Sequence, residues 1–312
     1  EMSVFVRQNA IAMEYTKDAW AILNPIEQSI KAKIEKYGTP LKDWDITINY
    51  GIKTGCNEAF IISGEKRKEL IAEDPKSDEI IRPILRGRDI KRYGYEFADL
   101  WLINIECGFT NKYRGNKQPE EFIKTKYPAI YNHFMKVASA KTKGKGLINR
   151  DDKGDYWWEL RSCAYTNDFS KQKIIYPNMT KYLPFIYDEN GYMTNQKCFI
   201  LLSNSNKTNL KYIVAFLNSN IAKKWIIDNC PELQGGTREL SKIFFEKIKI
   251  PHVSSKDADI LARIVMQKLC NCSNVKEYNE VISQINEIVY TIYKLDTCEI
   301  QYINDYVEKR IG

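Results

Sequence analysis

The stretch DITINYGIKTGCNEAFII, residues 45–62, decides how the fold is predicted. In its first part Ile46, Ile48 and Tyr50 alternate with polar residues, which is the pattern of a half-buried strand. Its last part is a short run of bulky apolar residues, and two glycines lie in the polar segment between. Glycine lets a second backbone or a phosphate come close, because it has no Cβ. The stretch therefore predicts two strands joined by a turn, either an ordinary hairpin loop or a loop that meets a phosphate.

Short strand-like runs recur later in the chain, at 100–104, 173–177, 185–187 and 198–202. Helical periodicity interrupts them twice, over 118–138 and 209–229. In the first of these stretches Pro119 suits a first helical turn, and Pro128 is expected to break or kink the helix. This irregular alternation predicts an α+β fold with a mixed sheet and long loops.

Beyond Pro251 the pattern becomes helical. Apolar residues from Val275 to Ile292 step by three and four, which predicts an amphipathic helix that packs on another helix. Asp296 and Glu299 occupy capping-box positions at the start of a further helix. Three consecutive domains are therefore predicted: a lead-in segment and helix over 1–44, an α+β domain over 45–251, and a helical C-terminal region over 252–312.

With 312 residues, of which 44% are hydrophobic, the chain can fill the cores of two units. No apolar run reaches the ~18 residues of a membrane span, and the first residues lack the pattern of a signal peptide. We therefore expect no membrane partner and a cytoplasmic location. The eight cysteines include no C-x-x-C pair, and the two histidines, His133 and His252, lie far apart, so neither a zinc site nor a disulfide framework is expected.

Charge is unevenly distributed along the chain. Residues 253–312 contain seven Lys or Arg against nine Asp or Glu, so this tail carries −2. Because the whole chain carries +7, residues 1–252 carry +9. A basic body with a mildly acidic tail indicates a polyanionic partner for the body.

No catalytic centre is recognisable in the sequence. Methyltransferases that act on amino groups with S-adenosylmethionine carry a [DNS]-P-P-[YFW] loop, and Asn24-Pro25-Ile26 lacks its second proline and its aromatic residue. Residues 151–153 (Asp-Asp-Lys) match half of a metal-dependent nuclease motif, but they lie in a hydrophilic segment next to glycine. We therefore predict no catalytic residue and no metal ligand in this chain.

Cations are concentrated in segments that also contain aromatic residues. Residues 81–94 hold five Lys or Arg against one Asp, and residues 136–150 hold five cations and no acid. Of the adjacent Trp157 and Trp158, one is expected in the core, because neighbouring strand residues point to opposite faces. Arg bridges a phosphate or a guanine edge, and Lys supplies a mobile point charge. Two further segments, 108–117 and 154–162, mix Tyr and Trp with cations. From these four segments we predict nucleic-acid contacts by Arg86, Arg88, Lys91, Arg92, Lys112, Arg114, Lys141, Lys143, Lys145, Arg150 and Arg161.

Seven blocks of the sequence occur in an order that resembles a known family. They are DITINYGIKTGCNEAFII, IIRPILRGRDIKRYG, YWWELRS, FSKQKIIYPNMT, LKYIVAFLNSNIAKKWI, LQGGTRELSKIFFEKIKIP and INEIVYTIYKLDTCEI. Together they resemble the TaqI-like C-terminal specificity region of type IIG restriction-modification enzymes and related adenine-specific DNA methyltransferases, including those of phage-exclusion systems. They are also similar to the target-recognition domains of type I specificity subunits. The resemblance covers nearly the whole chain from Trp44 to Glu299.

The resemblance implies that the chain recognises double-stranded DNA, while separate modules of a larger enzyme carry methyl transfer and, in many members, cleavage. S-adenosylmethionine and Mg²⁺ are then expected only in those modules, which would be partners of this chain, and no cofactor is expected in the chain itself. The resemblance places loops 51–57, 86–89 and 234–238 close to DNA. It adds as DNA contacts Lys53, Thr54, Asn57, Gln234, Thr237 and Arg238, and as positions of close backbone approach Gly51, Gly55, Gly235 and Gly236. Lys181 is predicted as a further DNA contact.

Three other functions remain open from the sequence. The chain could bind single-stranded DNA or RNA, with Tyr and Trp as stacking platforms. It could be a protein-interaction or assembly subunit whose basic face is incidental. It could also be a complete enzyme with an unfamiliar site, which would require S-adenosylmethionine binding or magnesium-dependent cleavage by this chain alone.

Overall fold

The computed structural model of the chain describes residues 23–139, 146–205, 207–268 and 275–311. It divides into two units. The unit called here the sheet unit comprises Asp45–Leu210 and Thr237–Ser241, and the helical unit comprises Glu1–Trp44, Lys211–Gly236 and Lys242–Gly312. The sheet unit begins at Asp45, and most of the chain from 211 to 251 groups with the terminal helices.

The strands are short and are spread over most of the chain. They are β1 (Gly38–Pro40), β2 (Ile46–Tyr50), β3 (Ile61–Ser63), β4 (Ile81–Leu85), β5 (Ile90–Lys91), β6 (Gly94–Tyr95), β7 (Leu100–Ile103), β8 (Lys173–Pro177), β9 (Met179–Thr180), β10 (Ile186–Asp188), β11 (Met193–Thr194), β12 (Cys198–Ser203), β13 (Arg238–Glu239) and β14 (Lys249–Pro251).

The helices alternate with these strands and then dominate the C-terminal part. They are α1 (Pro25–Tyr37), α2 (Asn57–Phe60), α3 (Gly64–Glu73), α4 (Phe109–Tyr113), α5 (Pro119–Lys126), α6 (Pro128–Ser139), α7 (Leu210–Leu217), α8 (Asn220–Asn229), α9 (Lys242–Phe245), α10 (Ser255–Arg263), α11 (Val275–Ile292) and α12 (Thr297–Ile311).

Two four-stranded sheets form the framework of the sheet unit. One has the order β10-β8-β12-β2 with antiparallel pairs throughout. The other has the order β11-β4-β7-β3, in which β11 and β4 run parallel and the remaining pairs are antiparallel. This mixture of helices with parallel and antiparallel strands confirms the predicted α+β class. The hairpin prediction for residues 45–62 is wrong, because β2 pairs with β12 and β3 pairs with β7 in different sheets.

One apolar core fills the sheet unit. Ile84 and Leu102 come from one sheet, Ile200 from the other and Phe134 from α6, and all four belong to a single cluster of buried side chains. Trp158 is 3% exposed within this cluster, so the prediction that one tryptophan of the pair lies in the core is confirmed. Both sheets and the helices between them are thus held by the same burial of apolar surface.

Local sequence sets where the helices begin and end. Pro119 and Pro128 each occupy the first position of a helix, where a missing N–H costs nothing, so the predicted break between α5 and α6 is confirmed. The periodic stretch 209–229 forms two helices, because the Ser219 hydroxyl accepts a hydrogen bond from the Ala222 N–H and starts α8 anew.

The helical unit has one helix packed on another, as the periodicity predicts. Helix α12 packs against α1 and α8, and α11 packs against α8. The Glu299 carboxylate accepts hydrogen bonds from Ser29 and Lys33 of α1, each at 2.6 Å. The predicted capping box is confirmed, since the Asp296 side chain accepts from the Glu299 N–H at 2.9 Å and the Glu299 side chain accepts from the Asp296 N–H at 2.8 Å. Within the described ranges, every helix falls short of the length and apolarity that a bilayer crossing requires.

Candidate nucleic-acid interface

The glycine loop (51–57) leaves β2 and lies against the segment between β11 and β12. The Gly51 N–H donates to the Cys198 carbonyl at 2.9 Å, and the Ile52 N–H donates to the Thr194 carbonyl at 2.7 Å. A Cβ on Gly51 would lie 2.0 Å from the Asn195 carbonyl oxygen. The close approach that the sequence predicts at Gly51 is therefore to protein backbone, and this corrects the expectation of a close approach to DNA there.

The second half of the glycine loop is fixed by Arg150. Gly55 has a φ of +67°, and a Cβ on it would lie 2.9 Å from the Asp152 carbonyl oxygen, so this glycine also meets protein backbone. Arg150 is 3% exposed, and its guanidinium lies 4.7 Å from the Phe60 ring. It donates hydrogen bonds to the backbone carbonyls of Leu147, Thr54, Asp152, Trp157 and Glu159.

These contacts correct the prediction that Arg150 binds DNA. Burial lowers the pKa of this guanidinium to about 10, and its donors are already taken up by carbonyls inside the protein. Thr54 is also buried, at 3% exposure, and its hydroxyl donates to the Asn57 side chain at 2.6 Å. Arg150 and Thr54 therefore hold the loop in shape, while the Asn57 residue remains exposed.

Two exposed cations flank this loop and share one acid. Lys53 lies 2.9 Å from the Asp152 carboxylate, and Arg161 lies 3.2 Å from it. Their side chains are 46% and 57% exposed. Exposed ion pairs of this kind contribute only about 0–1 kcal/mol, so both cations can exchange Asp152 for a phosphate at little cost.

The arginine turn (86–89) follows β4 and presents a single unpaired arginine. Arg86 donates to both carboxylate oxygens of the buried Asp89, at 2.9 and 2.7 Å, and this hydrogen bonding raises the pKa of Arg86. Between them Gly87 packs so closely that a Cβ on it would lie 3.2 Å from Pro177 and 3.4 Å from the Lys197 carbonyl oxygen. Arg88 is exposed, and no side-chain hydrogen bond or ion pair joins it to another described residue.

The strands β5 and β6 continue from this turn. Lys91 is exposed and lies 3.3 Å from the Glu96 carboxylate. Arg92 is half-buried, with its guanidinium 5.8 Å from the Tyr93 ring. The Tyr93 N–H donates to the Phe185 carbonyl at 3.2 Å, which ties the tip of this hairpin to the rest of the sheet unit.

Lys112 and Arg114 lie at the end of α4. Arg114 donates to the Asn111 side chain at 3.2 Å and to the Lys117 carbonyl at 3.0 Å. Asn111 in turn donates to the Asp155 carboxylate at 2.8 Å, so this helix end is joined to the 150–161 segment. Lys112 remains exposed, with its ammonium 5.1 Å from the Tyr113 ring.

Hydrogen bonds connect the glycine loop and the arginine turn with four further segments, one of which, 150–161, is joined through the Arg150 side chain. The Asn195 N–H donates to the Leu85 carbonyl at 3.3 Å, directly before the arginine turn. The Asn178 N–H donates to the Lys197 carbonyl at 2.8 Å, and the Leu240 N–H donates to the Asn178 carbonyl at 2.7 Å. We call the connected set the candidate interface: the glycine loop, the arginine turn, and the segments 150–161, 178–182, 195–197 and 237–240.

The remaining predicted residues are divided between the two units. Lys181 is exposed in the candidate interface, and Arg238 pairs with Thr180 in the β9–β13 ladder, with Thr237 beside it in sequence. Gln234, Gly235 and Gly236 belong to the helical unit; both glycines have a positive φ, and a Cβ on either would meet no atom within 4 Å. Lys141, Lys143 and Lys145 lie outside the described residues.

The sequence reasoning missed the turn between β11 and β12. Gln196 and Lys197 are exposed there, and the Asn195 side chain accepts a hydrogen bond from the Lys197 N–H at 3.1 Å. An Asn that bonds the backbone two residues ahead is typical of a tight turn. In the sequence, the polar residues 194–197 (TNQK) between two apolar runs indicate this turn.

One group of possible metal ligands occurs in the described part of the chain, and it has a structural explanation. Donor atoms of Cys107, Asp155 and Glu159 lie within 4.8 Å of one another. The Glu159 carboxylate already accepts hydrogen bonds from the backbone N–H groups of Gly108, Thr110, Asp155 and Tyr156. These hydrogen bonds join two loops and occupy most of the lone pairs of the carboxylate, so few lone pairs remain to bind a cation.

The chain is similar to proteins of restriction-modification systems. A family model described as the TaqI-like C-terminal specificity domain matches residues 82–250, more than half of the chain. The protein named type II methyltransferase M.MjaIV, from Methanocaldococcus jannaschii, is 23% identical over 246 residues, which cover 78% of this chain and 77% of that protein. These matches confirm the resemblance carried by the sequence blocks.

Two solved structures share the fold. One is the type IIL restriction-modification enzyme MmeI in complex with DNA, with a TM-score of 0.58 and 11% identity over 87% of this chain and 36% of that chain. The other is the type IIG restriction endonuclease BpuSI, with a TM-score of 0.51 and 12% identity over 86% of this chain and 33% of that chain. The chain thus spans about a third of the length of each of these enzymes.

Proposed function

The chain belongs to the family of TaqI-like C-terminal specificity domains, and on that premise we propose that it recognises a specific sequence in double-stranded DNA. It would do so for a restriction-modification enzyme or an adenine-specific DNA methyltransferase. The observation that carries the proposal is the candidate interface, where loops distant in sequence are joined by hydrogen bonds to backbone carbonyls and carry exposed cations. A surface of this kind suits a polyanion of fixed shape.

Phosphate contacts are assigned to the exposed cations of the candidate interface. Arg88 has no protein partner among the described residues, and Lys53 and Arg161 share a single acid. Such cations set the register of the protein on the duplex and contribute affinity that does not depend on sequence. Lys181 and Lys197, both exposed, extend the same surface.

Base recognition is assigned to exposed amide side chains that lie near these cations in sequence. Asn57 stands in the glycine loop, and Gln196 stands in the turn between β11 and β12. Asn and Gln form paired hydrogen bonds with adenine in the major groove, each pair being worth about 1–3 kcal/mol of discrimination. Both residues sit on backbone that is anchored by neighbouring strands, which reduces the entropy lost when they bind.

Catalysis is assigned to other modules of the parent enzyme. S-adenosylmethionine, and Mg²⁺ where cleavage occurs, would bind in those modules, which would also take the target adenine out of the helix before methyl transfer. In this division of labour the present chain selects the site and supplies no reacting group. We place the parent enzyme in the cytoplasm, where it would act against phage DNA.

A competition experiment tests the proposal. A labelled duplex is bound to the chain and displaced with duplex DNA, single-stranded DNA or RNA of equal length, and the duplex affinity is measured over a range of salt concentrations. We expect duplex DNA to compete best, and the logarithm of the affinity to fall by about 0.9 per phosphate contact for each unit of log salt. Preferential displacement by single strands would indicate the stacking alternative, and a salt-independent affinity would indicate an incidental basic face.

A further inference from the structure

Tyr182 is exposed, and its side chain has no evident structural role. It is 65% exposed, more than any other aromatic residue that the structure describes, and the nearby Met179 is 49% exposed. Neither a hydrogen bond of its hydroxyl nor a ring contact joins its side chain to another described residue. Burial of this ring therefore contributes nothing to the fold, and its surface is available to a ligand.

The backbone beneath this ring is firmly held. The Tyr182 N–H donates to the Thr180 hydroxyl at 3.2 Å. The next residue, Leu183, is fully buried and has a φ of +50°, a conformation that a leucine keeps only when its surroundings impose it. Asn178, on the other side, makes the two backbone hydrogen bonds that join it to Lys197 and Leu240. The ring is therefore presented from a fixed base, which lowers the entropy lost on binding.

The charges around the ring indicate what it would contact. Lys181 precedes it and is exposed, and Lys197, exposed as well, lies one backbone hydrogen bond from Asn178. Aromatic rings that alternate with cations are typical of surfaces that bind the bases and the backbone of nucleic acid together. Two exposed cations in the segments next to this ring favour nucleic acid over a protein as its partner.

We propose that Tyr182 stacks on a DNA base at a step that the protein opens in the duplex, with Lys181 on the adjacent phosphate. This inference rests on the proposed function, because it requires duplex DNA along the candidate interface. Opening a step costs stacking energy, and a ring inserted at the step replaces part of what is lost. Tyr182 would thus be a positioning residue that fixes a distorted DNA conformation.

The test uses a duplex enriched by the chain from a randomised pool, with 2-aminopurine substituted at one position after another. The fluorescence of 2-aminopurine rises when its neighbours unstack. We expect wild-type protein to raise the fluorescence at one step and Y182A to abolish that rise at saturating protein. The affinity of Y182A should fall roughly 5- to 150-fold, as expected for the loss of one stacked base. Y182F should behave as wild type, since the ring and not the hydroxyl is needed.

Tyr113, which is 50% exposed, provides a matched control, and Y113A should leave the fluorescence rise in place. Because the Tyr182 side chain makes no hydrogen bond or ring contact in the described part of the chain, Y182A should unfold at the wild-type temperature. An unchanged fluorescence rise in Y182A with duplex binding intact would overturn this inference alone. If no duplex is enriched or bound by the wild type, the proposed function fails and this inference fails with it.

Discussion

At the scale of single residues, neighbours in sequence have different roles. The sequence predicts the same DNA contact for Arg86 and Arg88, which lie two positions apart. In the structure Arg86 is bound to the buried Asp89, and Arg88 is exposed. The concentration of cations could be predicted from the sequence, but which arginine pairs with the single acid depends on the geometry of the turn. The burial of Arg150 could not be predicted either, because the residues around it in sequence show no pattern that indicates a buried position.

Replacing Arg88 with Ala tests its assignment to a phosphate. We expect all duplex sequences to bind more weakly by about 1.5–3 kcal/mol, the value of a hydrogen bond to a charged group, and the salt slope to decrease by about 1. The unfolding temperature should not change, because Arg88 has no partner among the described residues. Binding titrations at several salt concentrations measure both quantities. Lys68→Ala, an exposed cation on α3 outside the candidate interface, should have no effect.

Replacing Arg150 with Met tests its structural role. The variant leaves buried carbonyls without their donor, and we expect the free energy of unfolding to fall by about 3 kcal/mol or more. Chemical denaturation measures this change. Arg161→Met is the matched control, since that side chain is 57% exposed and its loss should change stability by only about 0.5 kcal/mol. Equal denaturation midpoints for the two variants would contradict the role assigned to Arg150.

At the scale of strands and helices, periodicity predicts which segments form strands, but it does not predict which strands pair with each other. The strands at 46–50 and 61–63 form, yet Ile48 pairs with Leu201 and Ile62 pairs with Trp101. Each partner lies outside residues 45–62, and pairing depends on the whole core, so a local pattern could not reveal it. Helix boundaries were predictable because prolines and capping residues act within one turn.

Gly51→Ala tests the close approach between the glycine loop and the neighbouring segment. A Cβ would lie 2.0 Å from the Asn195 carbonyl oxygen, so backbone must shift and the free energy of unfolding should fall by about 1–3 kcal/mol. Gly94→Ala is the control, because a Cβ there meets nothing within 4 Å. Thermal unfolding of both variants provides the comparison. A Gly51→Ala protein as stable as the Gly94→Ala protein would show that the two segments are not packed in this way.

At the scale of the whole molecule, the α+β class and the family could be predicted from the sequence. The order of the seven sequence blocks indicated the family, and the net charge of +9 on residues 1–252 indicated a polyanionic partner. The division into units could not be predicted, because residues 211–236 are adjacent in sequence to strands but group with the terminal helices. Helices α7 and α8 therefore belong with α11 and α12, although more than forty residues of chain lie between them.

The proposed division of labour predicts that this chain alone has no activity on DNA. Incubated with duplex DNA and isotopically labelled S-adenosylmethionine, the chain should transfer no methyl group, and with Mg²⁺ it should leave the duplex intact. Scintillation counting and gel electrophoresis measure the two outcomes. Methylated or cut DNA at amounts that scale with the protein would contradict the proposal and favour a complete enzyme with an unfamiliar site.

The central claim is that the sheet unit recognises a sequence in duplex DNA, and selection from a pool of duplexes with a randomised segment tests it most directly. We expect one short motif to dominate after repeated rounds. The chain should bind that duplex about tenfold or more tightly than a scrambled duplex of the same composition, the discrimination that one or two good base contacts provide. A pool that stays random, with equal affinities for selected and scrambled duplexes, would contradict the claim.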